Sequence, residues 1–119
     1  MRTVLVVDDE YEIAEVVGTV LSSRGYEVAL ALNGKLALAA LADQRPDLIL
    51  LDVMMPVMTG IEVLRTVKAT EEHRAIPVVM MSAVGDGVLS SEDESLTAGY
   101  LRKPFTFDEL MATFARVGL

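Results

Sequence analysis

The chain has no cysteine, a single histidine and four prolines. Without thiols there is no disulfide framework, no thiolate metal site and no cysteine nucleophile, and a reducing cytosol is the expected compartment. Long apolar runs are also missing. Nothing approaches the roughly 18 residues needed to cross a bilayer. Met1-Arg2-Thr3 runs straight on to the acidic step Asp8-Asp9, too short and too soon acidic for a secretory signal. Basic residues are scarce: 10 Lys and Arg against 18 Asp and Glu give 10 − 18 = −8, which argues against broad contact with nucleic acid. Neither a membrane nor a nucleic acid is therefore an expected partner, which leaves proteins, cations and small anions.

What is present describes a folded protein. Hydrophobic residues make up 52% of the chain and charged residues 24%, far from the composition of disordered chains. A chain of 119 residues suits one domain, expected over residues 1–119, with no repeat, linker or low-complexity tail.

Five short apolar runs recur, at Thr3 to Asp8, Glu27 to Ala31, Asp47 to Asp52, Ile76 to Ser82 and Gly99 to Lys103. Several are unbroken Val, Leu, Ile and Met, the pattern of parallel strands covered on both faces, and the last is short enough to be an edge. Helical patterns lie between them. Ile13, Val16, Val17, Val20 and Leu21 form one stripe that stops near Arg24-Gly25. Asn33-Gly34 opens the second helix with Leu36, Ala37, Ala40 and Leu41 inward, and Arg45-Pro46 ends it. Thr59 and Glu62 make a capping box for the third helix, ahead of Val63, Leu64 and Val67. Thr106 and Glu109 repeat it for the last, where Phe105 and Leu110 occupy hydrophobic-staple positions. The alternation predicts a single three-layer α/β domain.

Residues 84–98 break this regularity. They hold Gly85, Gly87, three serines and four acids with no Lys or Arg, so a fourth helix there is expected to be short or irregular. The run Glu92-Asp93-Glu94 reads as a solvated face or a helix start. The only histidine, His73, reads as a solvated loop residue.

The chemistry collects at strand ends. Open α/β sheets bind ligands outside the carboxyl ends of their strands, where strand order reverses. Strand 1 ends in Asp8-Asp9, strand 3 in Asp52, strand 4 in Ser82 and strand 5 in Lys103. Two carboxylates about 4 Å apart repel by roughly 4 kcal/mol at an effective dielectric near 20, so such a cluster requires cations. Lys103 is one. A few carboxylate oxygens with open positions suit Mg²⁺ better than Ca²⁺, and Mg²⁺ completes its shell with water and phosphate oxygens. That points to a phosphoryl group, reached by Lys103 and the Ser82 hydroxyl, with one Asp able to accept it.

At these residues the sequence resembles the receiver (CheY-like) domain of two-component response regulators. The resemblance rests on Val-Val-Asp8-Asp9-Glu, Leu-Leu-Asp52-Val-Met-Met-Pro56-Val-Met-Thr-Gly60, Ser82-Ala83 and Tyr100-Leu-Arg-Lys103-Pro104-Phe105, in order along nearly the whole chain. It implies a flavodoxin-like fold with a five-stranded parallel sheet of order 2-1-3-4-5 and five helices. It implies that Asp52 takes a phosphoryl group from the phosphohistidine of a sensor histidine kinase or histidine phosphotransfer protein. Asp8, Asp9, Asp52 and the Met54 backbone carbonyl would hold Mg²⁺. Lys103 would pair with the phosphate, preceding a Pro104 commonly joined by a cis bond, while Ser82 and Tyr100 would act as switch residues. Pro56 and Gly60 would shape the acceptor loop.

The face formed by the fourth helix, fifth strand and fifth helix would then meet partner proteins. The link before Tyr100 looks shortened against the family pattern, with only Ala98-Gly99 there. Residues 84–96 are accordingly expected to be loosely held without the phosphoryl group and to gain order with it. The expected protein is a stand-alone cytoplasmic switch, monomer or weak dimer. Its rivals are a receiver-like interaction scaffold that works unphosphorylated and a Mg²⁺-dependent phosphohydrolase. Met54, where a hydrolase would carry a second acid, speaks against the latter.

Overall fold

The computed structural model describes residues 2–84 and 87–119. In chain order the elements are β1 (Thr3–Val7), α1 (Tyr11–Ser23), β2 (Glu27–Ala31), α2 (Gly34–Asp43), β3 (Leu48–Asp52), α3 (Gly60–Ala69), β4 (Val78–Ser82), α4 (Ser91–Ser95), β5 (Gly99–Arg102) and α5 (Phe107–Arg116). All strand pairs are parallel and the order is β2-β1-β3-β4-β5, as the resemblance implies.

Unbroken apolar strands follow from helices on both faces of this sheet. Leu5, Val7, Ile49, Leu51, Val78 and Met80 point to one side and pack with Ala37 and Leu41 of α2 and Val63, Leu64 and Val67 of α3. Their neighbours Val4, Val6, Leu48, Leu50, Val79 and Met81 point to the other and meet Ala14, Val17 and Leu21 of α1 and Leu110 and Phe114 of α5. Both T-x-x-E capping boxes form, at Thr59 and at Thr106, and Asn33 caps α2 by accepting from the Leu36 N–H. Phe105 packs into the same core as Leu110, as a staple requires.

Two helix faces differ from the apolar pattern. Val16 is 62% exposed and Leu36 is 52% exposed. The buried arc of α1 is Ala14, Val17, Gly18 and Leu21, because a small residue is what fits against β2: a Cβ at Gly18 would lie 3.3 Å from Val28. A stripe drawn by side-chain hydrophobicity overlooks glycine and comes out rotated. Leu36 sits in the first turn of α2 and points to solvent, while Leu38 packs on the core in its place.

The fourth helix is short, five residues of Ser-Glu-Asp-Glu-Ser with no apolar side chain of its own. Polar contacts hold it instead. The Arg65 guanidinium on α3 donates to both oxygens of Asp93, at 2.9 and 2.8 Å, and the Ser90 hydroxyl donates to Asp93 as well. Asp93 is therefore buried rather than part of a solvated face, and its carboxyl is held below the usual range by the Arg65 hydrogen bonds. Val88, Leu89 and Leu96 on either side pack against the α2–α3 core. Within the stretch 84–96, Gly85 and Asp86 lie outside the described residues.

Candidate functional site at the strand ends

Register brings the predicted residues together. Val7 pairs with Leu51, so the next residues, Asp8 and Asp52, leave adjacent strands at the same level. Asp52 pairs with Met81 and Ser82 pairs with Arg102, which puts Ser82 one step beyond the acid and Lys103 immediately after. The Lys103 N–H donates to the Ser82 carbonyl at 2.8 Å, tying β5 to β4 at this point, and the Lys103-Pro104 bond is cis.

The Lys103 side chain crosses the crevice. Its ammonium donates to Asp8 Oδ2 at 2.6 Å and lies 3.5 Å from Asp52 Oδ2 and 3.9 Å from Glu10 Oε1. Asp8 is fully buried, and its other oxygen accepts from the Glu10 N–H at 2.9 Å. Asp52 is also buried but more loosely held, with a long 3.4 Å hydrogen bond from the Met54 N–H to Oδ1 as its one hydrogen bond among the described residues. Burial, reinforced by the charges of Asp8 and Asp9 and opposed by Lys103 and the Met54 N–H, pushes the Asp52 pKa up to about 6. For Lys103, burial favours the neutral amine, but the Asp8 hydrogen bond and the charges of Asp52, Asp8 and Glu10 outweigh it and raise its pKa.

Carboxylate oxygens of Asp8, Asp9 and Glu10 lie within 4.8 Å of one another. An all-oxygen, strongly negative donor set fits a hard divalent cation. Asp9 and Glu10 are exposed and Asp8 is buried, so the cluster is open on its solvent side.

Ser82 and Tyr100 are joined through one residue. The buried Ser82 hydroxyl oxygen accepts from the Val84 N–H at 3.0 Å, and the Tyr100 hydroxyl donates to the Val84 carbonyl at 3.1 Å. Any movement of the Ser82 hydroxyl therefore acts on the backbone that holds Tyr100. A groove lies beside these residues, away from the acids. It measures about 800 Å³ and runs along β5 between α4 and α5, bordered by Glu94, Arg102, Glu109 and Arg116.

The loop after Asp52 is tightly fitted. A Cβ on Gly60 would sit 2.0 Å from the Asp52 carbonyl oxygen, so α3 can start directly over the strand end only with glycine there. Val57 has φ 71°, and the Met58 N–H donates to the Pro56 carbonyl at 2.8 Å, which closes a strained three-residue turn. Val57 is 83% exposed, so little packing offsets a left-handed conformation that β-branched residues resist. Val57→Gly should therefore stabilise the protein by about 0.5–1 kcal/mol, the relief of strain exceeding the entropy gained by the unfolded chain. Urea unfolding checks this, and a loss of stability would show that the turn is unstrained.

A doubly wound parallel sheet with buried acids and a lysine at its carboxyl edge is the architecture of small α/β phosphoacceptor switches. The chain belongs to the response regulator receiver domain family, whose model matches residues 4–115. The phosphate regulon transcriptional regulatory protein PhoB of Pseudomonas aeruginosa is 40% identical over 119 residues, 98% of this chain and 51% of that protein. The chain thus spans about half the length of that relative. Among solved structures, chemotaxis protein CheY4 of Vibrio cholerae superposes with a TM-score of 0.92 at 36% identity, covering 98% of both chains. Response regulator TrrA of Thermotoga maritima, solved in complex with Mg²⁺-BeF, gives a TM-score of 0.88 at 31% identity, covering 98% of this chain and 99% of that one. Receiver domains take phosphoryl groups from histidine kinases or phosphotransfer proteins and are not classical enzymes. No helix among the described residues is long and apolar enough to cross a membrane.

The structure brings together Asp8, Asp52 and Lys103, and joins Ser82 to Tyr100 through Val84. Two neighbours of these residues were not singled out by sequence, Glu10 beside the acids and the Val84 backbone between Ser82 and Tyr100. The only sequence signal for Glu10 was its place directly after Asp8-Asp9.

Proposed function

We propose that Asp52 is the phosphoacceptor of this receiver and that residues 1–119 form one such unit, with Mg²⁺ held by Asp8, Asp9, Asp52 and the Met54 carbonyl. The observation that supports this most is the Lys103 ammonium set between Asp8 and Asp52, at 2.6 and 3.5 Å. It stabilises the acids at rest and is within reach of any anion built on Asp52. In the step itself an Asp52 carboxylate oxygen attacks the phosphorus of a phosphoimidazole. The new P–O bond forms as the P–N bond breaks, and the phosphoimidazole, protonated beforehand on its other ring nitrogen, leaves as neutral imidazole. Bound Mg²⁺ supplies charge neutralisation to the phosphoryl oxygens.

Phosphorylation adds about −1.5 to −2 charge to a crevice already rich in acid, so Lys103 and the Ser82 hydroxyl are drawn to it. Ser82 then gives up the Val84 N–H, and through the Val84 carbonyl the change reaches Tyr100 and the groove between α4 and α5, where a partner protein reads it. Met54, 62% exposed, offers no general acid where a phosphohydrolase would carry one, which favours a switch limited to its own phosphorylation and slow dephosphorylation.

Incubation with a small phosphodonor and Mg²⁺, followed by intact-mass analysis, tests this reading. One phosphoryl adduct is expected, absent in Asp52→Asn. An adduct that survives the substitution, or none in the parent protein, overturns it.

A further inference from the structure

We propose that Glu10 is a fourth acid of this site, holding Mg²⁺ through one of the ion's waters and so helping to set metal affinity; the inference rests on the Mg²⁺ site proposed for Asp8, Asp9 and Asp52. Glu10 occupies the N-cap of α1 yet makes no side-chain cap hydrogen bond. Glutamate is not among the preferred capping residues, and a good cap is worth about 0.5–2 kcal/mol, so the helix start is left without a stabilisation that Ser or Asp would provide. The carboxylate turns toward the crevice instead, with an oxygen within 4.8 Å of those of Asp8 and Asp9.

Lys103 is only a long-range ion-pair partner of Glu10. The ammonium lies 3.9 Å from Glu10, beyond hydrogen-bond range, and gives its short contact to Asp8. The backbone of Glu10 is anchored at the site, because its N–H donates to Asp8 Oδ1 at 2.9 Å. Its side chain is 61% exposed where that of Asp8 is 0%, so it stands at the mouth of the site, facing the side from which water enters. Mg²⁺ dehydrates reluctantly and keeps several waters, which an acid at the mouth can bind. Partners of this kind, one layer beyond the ligands, commonly contribute 10- to 100-fold to metal affinity.

Calorimetric titration with MgCl₂ tests the assignment. Glu10→Gln should weaken Mg²⁺ binding about tenfold. The deficit should persist in roughly 0.5 M KCl, where diffuse charge effects are screened. Glu10→Asp, which keeps the charge, should recover most of it. Glu12→Gln removes the same charge from the first turn of α1 without facing the acids and should change affinity less than about twofold. Thermal unfolding confirms that each variant is folded. A Glu10→Gln protein that binds Mg²⁺ like the parent, or that loses no more than Glu12→Gln, overturns the proposal. A loss as large as that of Asp9→Asn makes Glu10 a direct ligand and overturns the water-mediated part. If Asp9→Asn itself binds normally, the metal site fails and Glu10's role fails with it.

Discussion

Asp52→Asn should unfold about 4–8 °C above the parent protein at pH 7.5 in the absence of divalent metal, although it removes the proposed phosphoacceptor. Asp52 is a buried carboxylate beside Asp8 and near Asp9, with one ammonium among the described residues to offset them. Its pKa of about 6 in the folded protein lies above the roughly 3.9 of an unfolded aspartate. Keeping it ionised in the native state at neutral pH therefore costs stability, on the order of 1–2 kcal/mol once water reaching the crevice is allowed for. The sign follows from the raised value. The cost is fully present above pH 6, shrinks as pH falls through 6 and is gone below about pH 4, where both states are protonated. Urea unfolding in EDTA at pH 7.5, 6 and 4.5 should show the advantage of Asn decreasing in that order. An Asn variant less stable than the parent at pH 7.5, or an advantage that grows toward pH 4.5, would show that Asp52 is better compensated than its surroundings indicate. Adding Mg²⁺ should narrow the gap, because the metal stabilises the native parent more than the variant.

This tension between charge and burial is also why so much of the site could be read from sequence. Asp8, Asp52 and Ser82 close buried apolar strands and Lys103 follows a short mixed one, and parallel strands bring such ends to one edge whatever the helices do. Charged residues directly after fully buried stretches are costly unless they are used together. The helices carry less information. Val16 and Leu36 belong to hydrophobic stripes but face solvent: the buried arc of α1 includes Gly18, which a stripe of apolar side chains overlooks, and Leu36 lies in the exposed first turn of α2. Asp93 belongs to an acidic run, and only the placement of α3 makes Arg65 its partner and buries it. Glu10 was hidden for a different reason. An acid at a helix start is expected to favour the helix dipole, and only the orientation of its carboxylate separates that role from one in the site.

Lys103→Met should have the opposite effect to Asp52→Asn, destabilising the metal-free protein by about 3–5 kcal/mol at pH 7.5. The ammonium is 2.6 Å from Asp8, whose side chain is 0% exposed, and its own side chain is 11% exposed. Methionine keeps most of the packing of the aliphatic stem but leaves Asp8 ionised and buried, with Asp52 beside it and no cation between them. Part of the loss should be recovered at pH 5, because Asp52, already raised to about 6, can then take up a proton in place of the lost charge. A second substitution separates charge from packing. Asp8→Asn in the Lys103→Met background removes the stranded carboxylate, so the double variant should be more stable than Lys103→Met alone, by more than about 1.5 kcal/mol of coupling in the four-protein cycle. Coupling below about 0.5 kcal/mol would mean that Lys103 serves the fold through its stem and not through its charge. Large coupling would show that the Lys103 charge holds the resting acids together, and the proposed phosphoryl contact would draw on that same ammonium. In that case the stability of the unphosphorylated fold and the readiness of its acceptor depend on a single side chain.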